Sequence, residues 1–505
     1  MKLINIFQGL VCSLVLSTTS CSLDYDPVET YSDVTEGVTE EGGEKIVFKD
    51  KAAVESHMTN IYKLMRDRQE HWYVDLLLIA DSHSDNAYAG TTGAEVVPFE
   101  DNSIEGSNSV LSRDWDRYLA DVATANKLIC NIDDVKDAAL TADERNSYKA
   151  QAMIFRSMIW FDMVRIWGSI PVITTVAGDI TSETIEEVYP SYFPSQSTEL
   201  EAYTQMESDL LEAVKYAPDQ TSDKTKFTKS VARTLLAKIY AEKPLRDYDK
   251  VITYCDAVTA DGFDLVAFND LFGMNAAGTD IKMRNTNESI LEAQFVVGSG
   301  NWCTWMFGRN LVNWDESFDW AKWITPSRDL IKTFEDEGDE IRFKESVVYY
   351  DCKWSNYYPA DHYPFMYKCR SAYSSIIKYR YADVLLLKAE ALIMGKNQDL
   401  EAAAKIIDRI RDRAGLGKLP SSVRSNKDAM LNALLKERRL ELAFEGQRWF
   451  DLIRLDKVEE VMNAVYAKDS GRKAQRNPFN EYSYRLAIPQ SAIDANDNLV
   501  QNPGY

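Results

Sequence analysis

One stretch near the carboxyl end, ERRLELAFEGQRWFDLIR at residues 437–454, most constrains the fold of this chain. A surface helix has a single apolar stripe, but the apolar residues here point to almost every side of a helix. We therefore expect this helix to be enclosed by its neighbours, with Trp449 in the core. The stretch also carries eight charged residues, namely Glu437, Arg438, Arg439, Glu441, Glu445, Arg448, Asp451 and Arg454.

These charges need partners, because a buried and unpaired charge costs several kcal/mol. Three pairs have the i,i+3 spacing that brings side chains together on a helix: Arg438–Glu441, Arg448–Asp451 and Asp451–Arg454. We expect the remaining charges to pair with other elements or to lie at the exposed margins. The stretch is therefore interpreted as a structural helix with no chemistry of its own.

Amphipathic patterns recur along the chain and predict a mainly α fold. Apolar residues spaced by three, four and seven positions indicate helices at 52–65, 115–132, 141–167, 203–214, 231–240, 248–258, 381–394 and 400–410. Thr141 and Glu144 have the spacing of a capping box. The later helices fall in pairs that are similar to tetratricopeptide repeats, so we predict a tetratricopeptide-like helical-repeat scaffold.

Two regions interrupt this scaffold. Residues 262–375 are aromatic, with interspersed Gly, Asn and Pro, and predict a large irregular, loop-rich insertion with short strands such as 289–297. Residues 81–111 are rich in Gly, Ser, Asn and Asp and predict a loop. Long loops in compact domains are often functional, so both regions are candidates for a binding site.

The N-terminus is typical of an export signal. Lys2 is followed by a short apolar run at 3–16, too short to span a membrane, then by small residues and Cys21. This pattern resembles a lipoprotein signal at 1–20 with Cys21 as the lipidated first residue; ordinary secretory cleavage remains the alternative. Residues 21–45 are polar and acidic and predict a flexible tether, which leaves 46–505 as one domain.

Three blocks in the last quarter of the chain resemble the RagB/SusD family of outer-membrane nutrient-binding lipoproteins. They are the stretch at 437–454, KYRYADVLLLKAEALI at 378–393, and YRLAIPQSAIDANDNLVQNPGY at 484–505. The resemblance implies a SusD-like, starch-binding homologue on the cell surface, anchored to the outer membrane by lipid. It further implies that the protein captures oligosaccharides and passes them to a SusC-like TonB-dependent transporter. Capture of oligopeptides is the alternative within this family, and a glycan-cleaving enzyme is a third hypothesis.

The charge and the motifs narrow the function further. A formal net charge of −22 argues against nucleic-acid binding, which needs a basic face. The chain has no phosphate-binding loop, no dinucleotide fingerprint and no nucleophile elbow, and its four histidines match no metal spacing. No carboxylate pair has a spacing that predicts glycoside hydrolysis. We therefore predict a binding protein that is not an enzyme and uses no cofactor or metal.

Cysteine usage predicts no disulfide framework. Besides Cys12 in the signal and Cys21, the chain has five cysteines at irregular spacing, Cys130, Cys255, Cys303, Cys352 and Cys369. Pairing of Cys352 with Cys369 across a loop remains open at this point.

A tryptophan cluster is the main candidate for a ligand site. Residues 301–323 contain five of the 11 tryptophans of the chain, and such rings either pack a loop onto the scaffold or offer flat faces on which sugar rings stack. In the family, ligand surfaces come from loops that correspond to this cluster and to 81–88. We expect Trp320 and Trp323 in a packed helix or turn, and predict ligand contacts at Trp302, Trp305, Trp314, Arg309, Asp85, Asn86 and Tyr88.

Overall fold

Helices make up most of the protein, as a computed structural model shows. The structure describes residues 38–39, 45–90, 93–296, 300–306, 323–352 and 357–505. The predicted signal at 1–20, Cys21 and most of the predicted tether lie outside the described residues. The described residues up to Val47, in which β1 pairs with β2, belong to one unit, and the described residues from Phe48 to Tyr505 form a second, larger unit.

The helices confirm the mainly α prediction. In chain order they are α1 (Lys51–Asp67), α2 (Val97–Asp101), α3 (Ser109–Asn131), α4 (Ala142–Trp167), α5 (Ile185–Val188), α6 (Glu199–Tyr216), α7 (Lys229–Ala241), α8 (Tyr248–Ala260), α9 (Phe268–Phe272), α10 (Cys303–Met306), α11 (Arg328–Glu337), α12 (Glu340–Ser346), α13 (Tyr381–Met394), α14 (Leu400–Arg413), α15 (Ser421–Arg424), α16 (Lys427–Glu441), α17 (Arg448–Arg454), α18 (Val458–Lys468) and α19 (Gln490–Ala495). Residues 70–82 wind as two π-helical turns, Glu70–Val74 and Leu78–Ser82, around a short α-helical turn, Asp75–Leu77. Short 3₁₀ turns occur at Ile132–Asp134, Tyr189–Tyr192 and Glu481–Ser483.

The strands are short and pair two by two. They are β1 (Val38–Thr39), β2 (Lys45–Ile46), β3 (Ala87–Tyr88), β4 (Ser289–Ala293), β5 (Thr325–Pro326), β6 (Val347–Tyr350), β7 (Tyr363–Met366) and β8 (Ile376–Arg380). The pairs β1–β2, β3–β5, β4–β8 and β6–β7 are all antiparallel. Apart from β1 and β2, each of these strands lies in the predicted loop at 81–111, in the insertion or at the boundary of the insertion. These strands therefore belong to the irregular part of the fold.

Successive helices pack side by side, as a helical-repeat scaffold requires. The series α3, α4, α6, α7 and α8 continues directly into α13, α14 and α16. Helices α8 and α13 are therefore packed neighbours although the insertion separates them in sequence. Strand β4, near the start of the insertion, pairs with β8 at its end. The insertion thus leaves the scaffold and returns to it at one place.

Local signals fixed several helix ends. Thr141 accepts a hydrogen bond from the backbone of Glu144, and the Glu144 side chain accepts one in return, which completes the predicted capping box. Helix α4 ends at Gly168, whose φ of 77° suits glycine. The predicted loop at 81–111 is less irregular than expected, because β3 and α2 lie within it.

The stretch at 437–454 is not one helix, which corrects the sequence prediction. Helix α16 ends at Glu441 and α17 begins at Arg448. Between them Phe444 and Gly446 adopt left-handed φ values of 60° and 71°. The Asp81 carboxylate accepts hydrogen bonds from the backbone N–H groups of Phe444 at 3.2 Å and Gly446 at 3.3 Å. A carboxylate that is distant in sequence therefore stabilises the turn that breaks the helix.

The enclosed environment predicted for this stretch is confirmed. All its residues from 437 to 454 are buried except Glu445 and Gln447, which are half-buried, and Trp449 is 1% exposed. Of the three local pairs, Asp451–Arg454 forms at 2.7 Å. Arg438 instead binds Asp451 and Asp383, and Arg448 binds Asp85. Most charges therefore pair with other elements, because the break between α16 and α17 changes which faces meet.

We call residues 437–454 and their ionic partners the charged hub. Glu441 lies at its centre and binds the guanidinium groups of Arg380, Arg342 and Arg413. Burial raises the pKa of Glu441, but these three cations outweigh burial and hold the pKa well below its usual range. Glu441 is therefore an ionised carboxylate with no exposed surface.

The C-terminal block attaches the end of the chain to α4. The Asn502 side chain donates to the carbonyl oxygens of Trp167 at 2.8 Å and Leu486 at 2.7 Å. The Gln501 amide accepts from the Ile488 N–H at 2.7 Å and donates to the Ile488 carbonyl at 2.8 Å. The hydrogen bonds of these two side chains account for the Gln501–Asn502 pair in the terminal motif.

Two further observations complete the fold. Cys352 and Cys369 are not joined by a disulfide: Cys352 packs with Tyr363 and Phe365, whereas Cys369 lies near Cys303 and accepts a hydrogen bond from Asn301. Among the helices that the structure describes, none combines the length and the apolar character needed to cross a bilayer.

Candidate functional site

The predicted first loop and the aromatic insertion meet at one junction. Strand β3 of the loop pairs with β5 of the insertion. The Ser327 N–H donates to the Asn86 carbonyl at 2.9 Å, and the Tyr357 hydroxyl donates to the Ala89 carbonyl at 2.8 Å. The structure thus places side by side the two regions that the sequence analysis singled out.

Asp85 belongs to the charged hub and not to a ligand surface. It is 2% exposed, and its carboxylate accepts two hydrogen bonds from Arg448, at 2.7 and 2.8 Å. Burial raises its pKa, but Arg439 and Arg448 hold the pKa well below the usual value. The expectation that Asp85 binds a ligand is not supported, because the hub arginines already use its charge.

Asn86 and Tyr88 are also inside the protein, which corrects the same prediction. Asn86 donates to Asp81 at 2.9 Å and accepts from Arg439 at 3.0 Å. The Tyr88 hydroxyl donates to Asp469 at 2.7 Å, and burial raises the pKa of Tyr88 to about 12. Their polar atoms are engaged and both residues have no exposed surface, so neither is available to a ligand.

Trp302 is the predicted aromatic residue that the structure presents at a surface. Its side chain is half-buried, and its backbone N–H donates to the Gln69 side chain at 2.8 Å. The same Gln69 amide donates to the Gly300 carbonyl at 2.9 Å. One glutamine therefore clamps the backbone on both sides of Asn301 and fixes the start of α10.

Trp323 lies next to this segment, although sequence analysis expected it in a packed helix or turn. Its backbone N–H donates to the Met306 carbonyl at 2.8 Å, and its carbonyl accepts from the Gly90 N–H at 3.3 Å. Its side chain is half-buried, like that of Trp302. We call the region of Trp302, α10, Trp323 and Gly90 the aromatic surface.

Asn301 anchors the aromatic surface to the segment before β8. This fully buried residue donates through its side chain to the Ser374 carbonyl at 2.8 Å, and its backbone N–H donates to the Ala372 carbonyl at 2.9 Å. Thr304 donates to the Ser371 carbonyl at 2.8 Å. The platform beneath Trp302 is therefore fixed by hydrogen bonds although it has little regular structure.

A partly exposed charged pair, which the sequence did not predict, begins at the residue after Gln69. Glu70 follows Gln69 and forms an ion pair with Arg117 of α3 at 2.5 Å, with both side chains partly exposed. Burial raises the pKa of Glu70, but the hydrogen bond from Arg117 outweighs it, so the pKa lies below its usual value. A partly exposed carboxylate and guanidinium can bond sugar hydroxyls. No sequence motif marks them, because they lie in a segment with a helical pattern.

For three predicted ligand contacts the structure describes no side chain. Trp314 and Arg309 lie outside the described residues. Trp305 lies in α10, but its side chain is not described. All three stay predictions.

One pair of carboxyl groups lies below the protein surface near this site. Asp75 and Asp114 are 0% and 1% exposed, and both form ion pairs with Arg113 of α3. Burial and the neighbouring Asp75 raise the pKa of Asp114 well above its usual value. Hydrolysis of a glycoside needs two carboxyls on opposite sides of a bound sugar, and these two face each other inside the protein.

Within the described ranges, no three His, Cys, Asp or Glu side chains come close enough to hold an ion together.

Two family models match this chain. The SusD family model matches residues 366–505, and a model described as starch-binding associating with outer membrane matches residues 38–241. Together the two matches span more than half of the chain. The first contains residues 437–454 and the C-terminal block, and the second contains helices α1 to α7.

Curated relatives align over most of their length. SusD-like protein P2 of Formosa agariphila is 25% identical over 491 residues, covering 91% of this chain and 93% of that protein. A SusD-like protein of Bacteroides ovatus is 23% identical and covers 74% of this chain and 70% of its own length.

Solved structures show the same fold. A laminarin-binding SusD-like protein superposes with a TM-score of 0.70 at 22% identity, over 91% of this chain and 100% of that one. Surface glycan-binding protein A from Bacteroides fluxus superposes with a TM-score of 0.72 at 20% identity, over 90% of this chain and 99% of that one. The sequence blocks, the family matches and the helical scaffold agree, and this chain belongs to the SusD/RagB family.

Proposed function

We propose that this protein captures an oligosaccharide on the aromatic surface around Trp302. The observation that carries the proposal is a half-buried indole on a backbone that Gln69 and Asn301 hold in place. Stacking of a sugar on such a ring gains contact area and orders few rotamers. Trp305, Trp314 and Arg309 are further proposed contacts in the same insertion, and Glu70 and Arg117 are proposed partners for hydroxyl groups.

Binding without hydrolysis is part of this proposal. Asp75 and Asp114 are buried and share Arg113 as an ion-pair partner, which supports a structural role. The names of relatives point the same way, since one solved neighbour is described as laminarin-binding and another as glycan-binding.

Calorimetry against a panel of polysaccharides and oligopeptides tests the proposal. Laminarin and starch are the first probes, because they appear in the descriptions of relatives. We expect dissociation constants on the order of micromolar for an open surface that must release its cargo. Trp302→Ala should weaken binding about tenfold or more.

A matched control is Tyr216→Ala, which removes an aromatic ring that is 44% exposed at the end of α6. This variant should bind like the wild type. If Trp302→Ala, Trp305→Ala and Trp314→Ala all bind normally, the aromatic surface is packing and the site lies elsewhere. Binding of peptides alone would favour the oligopeptide alternative, and release of reducing sugar would refute the non-enzymatic role.

We further propose that Cys21 carries lipid and holds the protein at the surface of the outer membrane. Two or three acyl chains anchor a protein stably, whereas one does not. The wild type should partition into a detergent phase and Cys21→Ala should stay in the aqueous phase. Equal partitioning of the two would refute the anchor.

Delivery to a SusC-like TonB-dependent transporter completes the proposed role. The family membership and the export signal support it. Gentle solubilisation of outer membranes should co-purify the two proteins, also with Trp302→Ala. Loss of co-purification in the wild type would contradict this step and leave the glycan-binding proposal untouched.

A further inference from the structure

Two buried cysteines meet beneath the aromatic surface. Cys303 opens α10, next to Trp302, and Cys369 lies between β7 and β8. The two thiols are close enough to influence each other's pKa, and Cys303 has no exposed surface whereas Cys369 is 8% exposed. They are 66 residues apart in sequence, so their contact is a product of the fold alone.

A neighbouring side chain fixes the two cysteines in this arrangement. The side-chain oxygen of Asn301 accepts a hydrogen bond from the backbone N–H of Cys303 at 2.9 Å. The Asn301 amide nitrogen lies 3.8 Å from the sulfur of Cys369 and donates to it. Asn301 therefore bridges the backbone of one cysteine and the thiol of the other.

We propose that Cys303 and Cys369 form a disulfide bond that fastens the aromatic surface to the segment preceding β8. The existing hydrogen bonds of Asn301 and Thr304 join the same two segments, so the bond would reinforce a contact already present. Disulfides persist in exported proteins, and the N-terminal segment at 1–20 is the feature that predicts export. The inference does not depend on which ligand binds.

The chemistry is thiol–disulfide exchange with a disulfide donor, which is the oxidant. The neighbouring Cys303 thiol lowers the pKa of Cys369, whereas burial raises the pKa of Cys303 well above its usual value. Cys369 therefore attacks the donor as a thiolate and releases the first donor thiol. Cys303 then loses its proton and attacks the Cys369 sulfur, which releases the second donor thiol. Two protein thiols become one disulfide, and the donor takes up two electrons and two protons.

Both thiols are buried, so the donor reaches them during folding or local opening. The test therefore uses two routes on the full chain: oxidised glutathione added to the folded protein, and refolding in a glutathione redox buffer. Remaining thiols are alkylated under denaturing conditions and peptides are identified by mass spectrometry. We expect a linked peptide containing Cys303 and Cys369, with Cys255 alkylated.

Thermal unfolding gives an independent readout. Oxidation should raise Tm for the wild type and for the control Cys255→Ser, which alters a buried thiol of α8. Oxidation should leave Tm unchanged for Cys303→Ser and Cys369→Ser. Full alkylation of Cys303 and Cys369 after both routes, or a link between Cys369 and Cys352, would overturn the proposal. Glycan binding measured on the reduced protein separates this outcome from a failure of the proposed function.

Discussion

The charged hub and the aromatic surface are held in place by different kinds of interaction. In the hub, regular helices carry many buried charges, and each carboxylate meets guanidinium groups from distant elements, as Glu441 does with Arg380 and Arg413. At the aromatic surface the backbone is mostly irregular, and single amides such as Gln69 and Asn301 hold it. Trp449 of the hub is 1% exposed, whereas Trp302 is half-buried.

With the proposed function, this difference would separate stability from recognition within one chain. A buried ionic network tolerates little change, because removing one partner leaves another charge without compensation. A loop held by a few hydrogen bonds leaves its side chains free to vary with the ligand. Stability should therefore depend on the hub and affinity on the aromatic surface, and each prediction below tests that separation.

The largest loss of stability should follow from Glu441→Gln. The change keeps the shape of the side chain but removes the negative charge that Arg342, Arg380 and Arg413 share. We expect the free energy of unfolding to fall by about 5 kcal/mol. Denaturant unfolding measures it. The control Glu340→Gln removes one carboxylate of the exposed pair with Lys344 and should cost less than about 1 kcal/mol; similar losses in both variants would contradict a special role for the hub.

Trp449→Ala should follow closely. The ring is buried and packs against His83, with a centroid distance of 4.1 Å, and against Phe479 at 5.8 Å. Loss of a buried tryptophan costs about 4 kcal/mol, seen as a lower Tm, while the protein that remains folded should bind ligand normally. Weaker binding at unchanged Tm would instead make Trp449 a residue of the site.

The pH dependence of stability should reveal two opposing groups beside the hub. Burial lowers the pKa of His83 to about 4 and raises that of Asp81 to about 6. The folded pKa of His83 is depressed, so its contribution is present above about pH 6.5 and is lost as pH falls through about 4. Asp81 favours folding when protonated, so its contribution is present below about pH 3.8 and is lost as pH rises through about 6.

Removing either side chain should leave the pH dependence of stability that the other one causes. Between pH 6.5 and 4, Asp81→Asn should lose stability more steeply than the wild type on acidification, by on the order of 3 kcal/mol. His83→Gln should shift the profile in the opposite direction by a similar amount. Unfolding free energies measured across this pH range are the readout, and profiles parallel to that of the wild type would show that these pKa shifts do not govern stability.

Trp302→Ala should have the smallest effect on stability. Its ring is half-buried, and the hydrogen bond to Gln69 comes from the backbone and survives the substitution. We expect a loss below about 1.5 kcal/mol in unfolding free energy, measured with denaturant, together with the loss of affinity proposed above. A loss of stability as large as that of Trp449→Ala would place Trp302 in the core. It would contradict the distinction between a hub that governs stability and a surface that governs affinity.

Local sequence patterns determined the helices and their boundaries. The period of apolar residues, the Thr141 and Glu144 capping box and Gly168 act within a few residues, so they fixed α4 without knowledge of the rest of the fold. The same holds for the pairing of later helices and for the need of the hub charges to find partners. The sequence also singled out the two regions that meet through β3 and β5, because both lack a helical period.

Only the tertiary structure decided which of the predicted site residues are buried and where the hub helix breaks. Asp81 stabilises the left-handed turn at Phe444 from more than 360 positions away in sequence. Asp85 pairs with Arg448 across a similar separation in sequence. Cys369 meets Cys303 and not Cys352 for the same reason. Burial and ionic pairing depend on which distant segments pack together, and no local period or spacing encodes that choice.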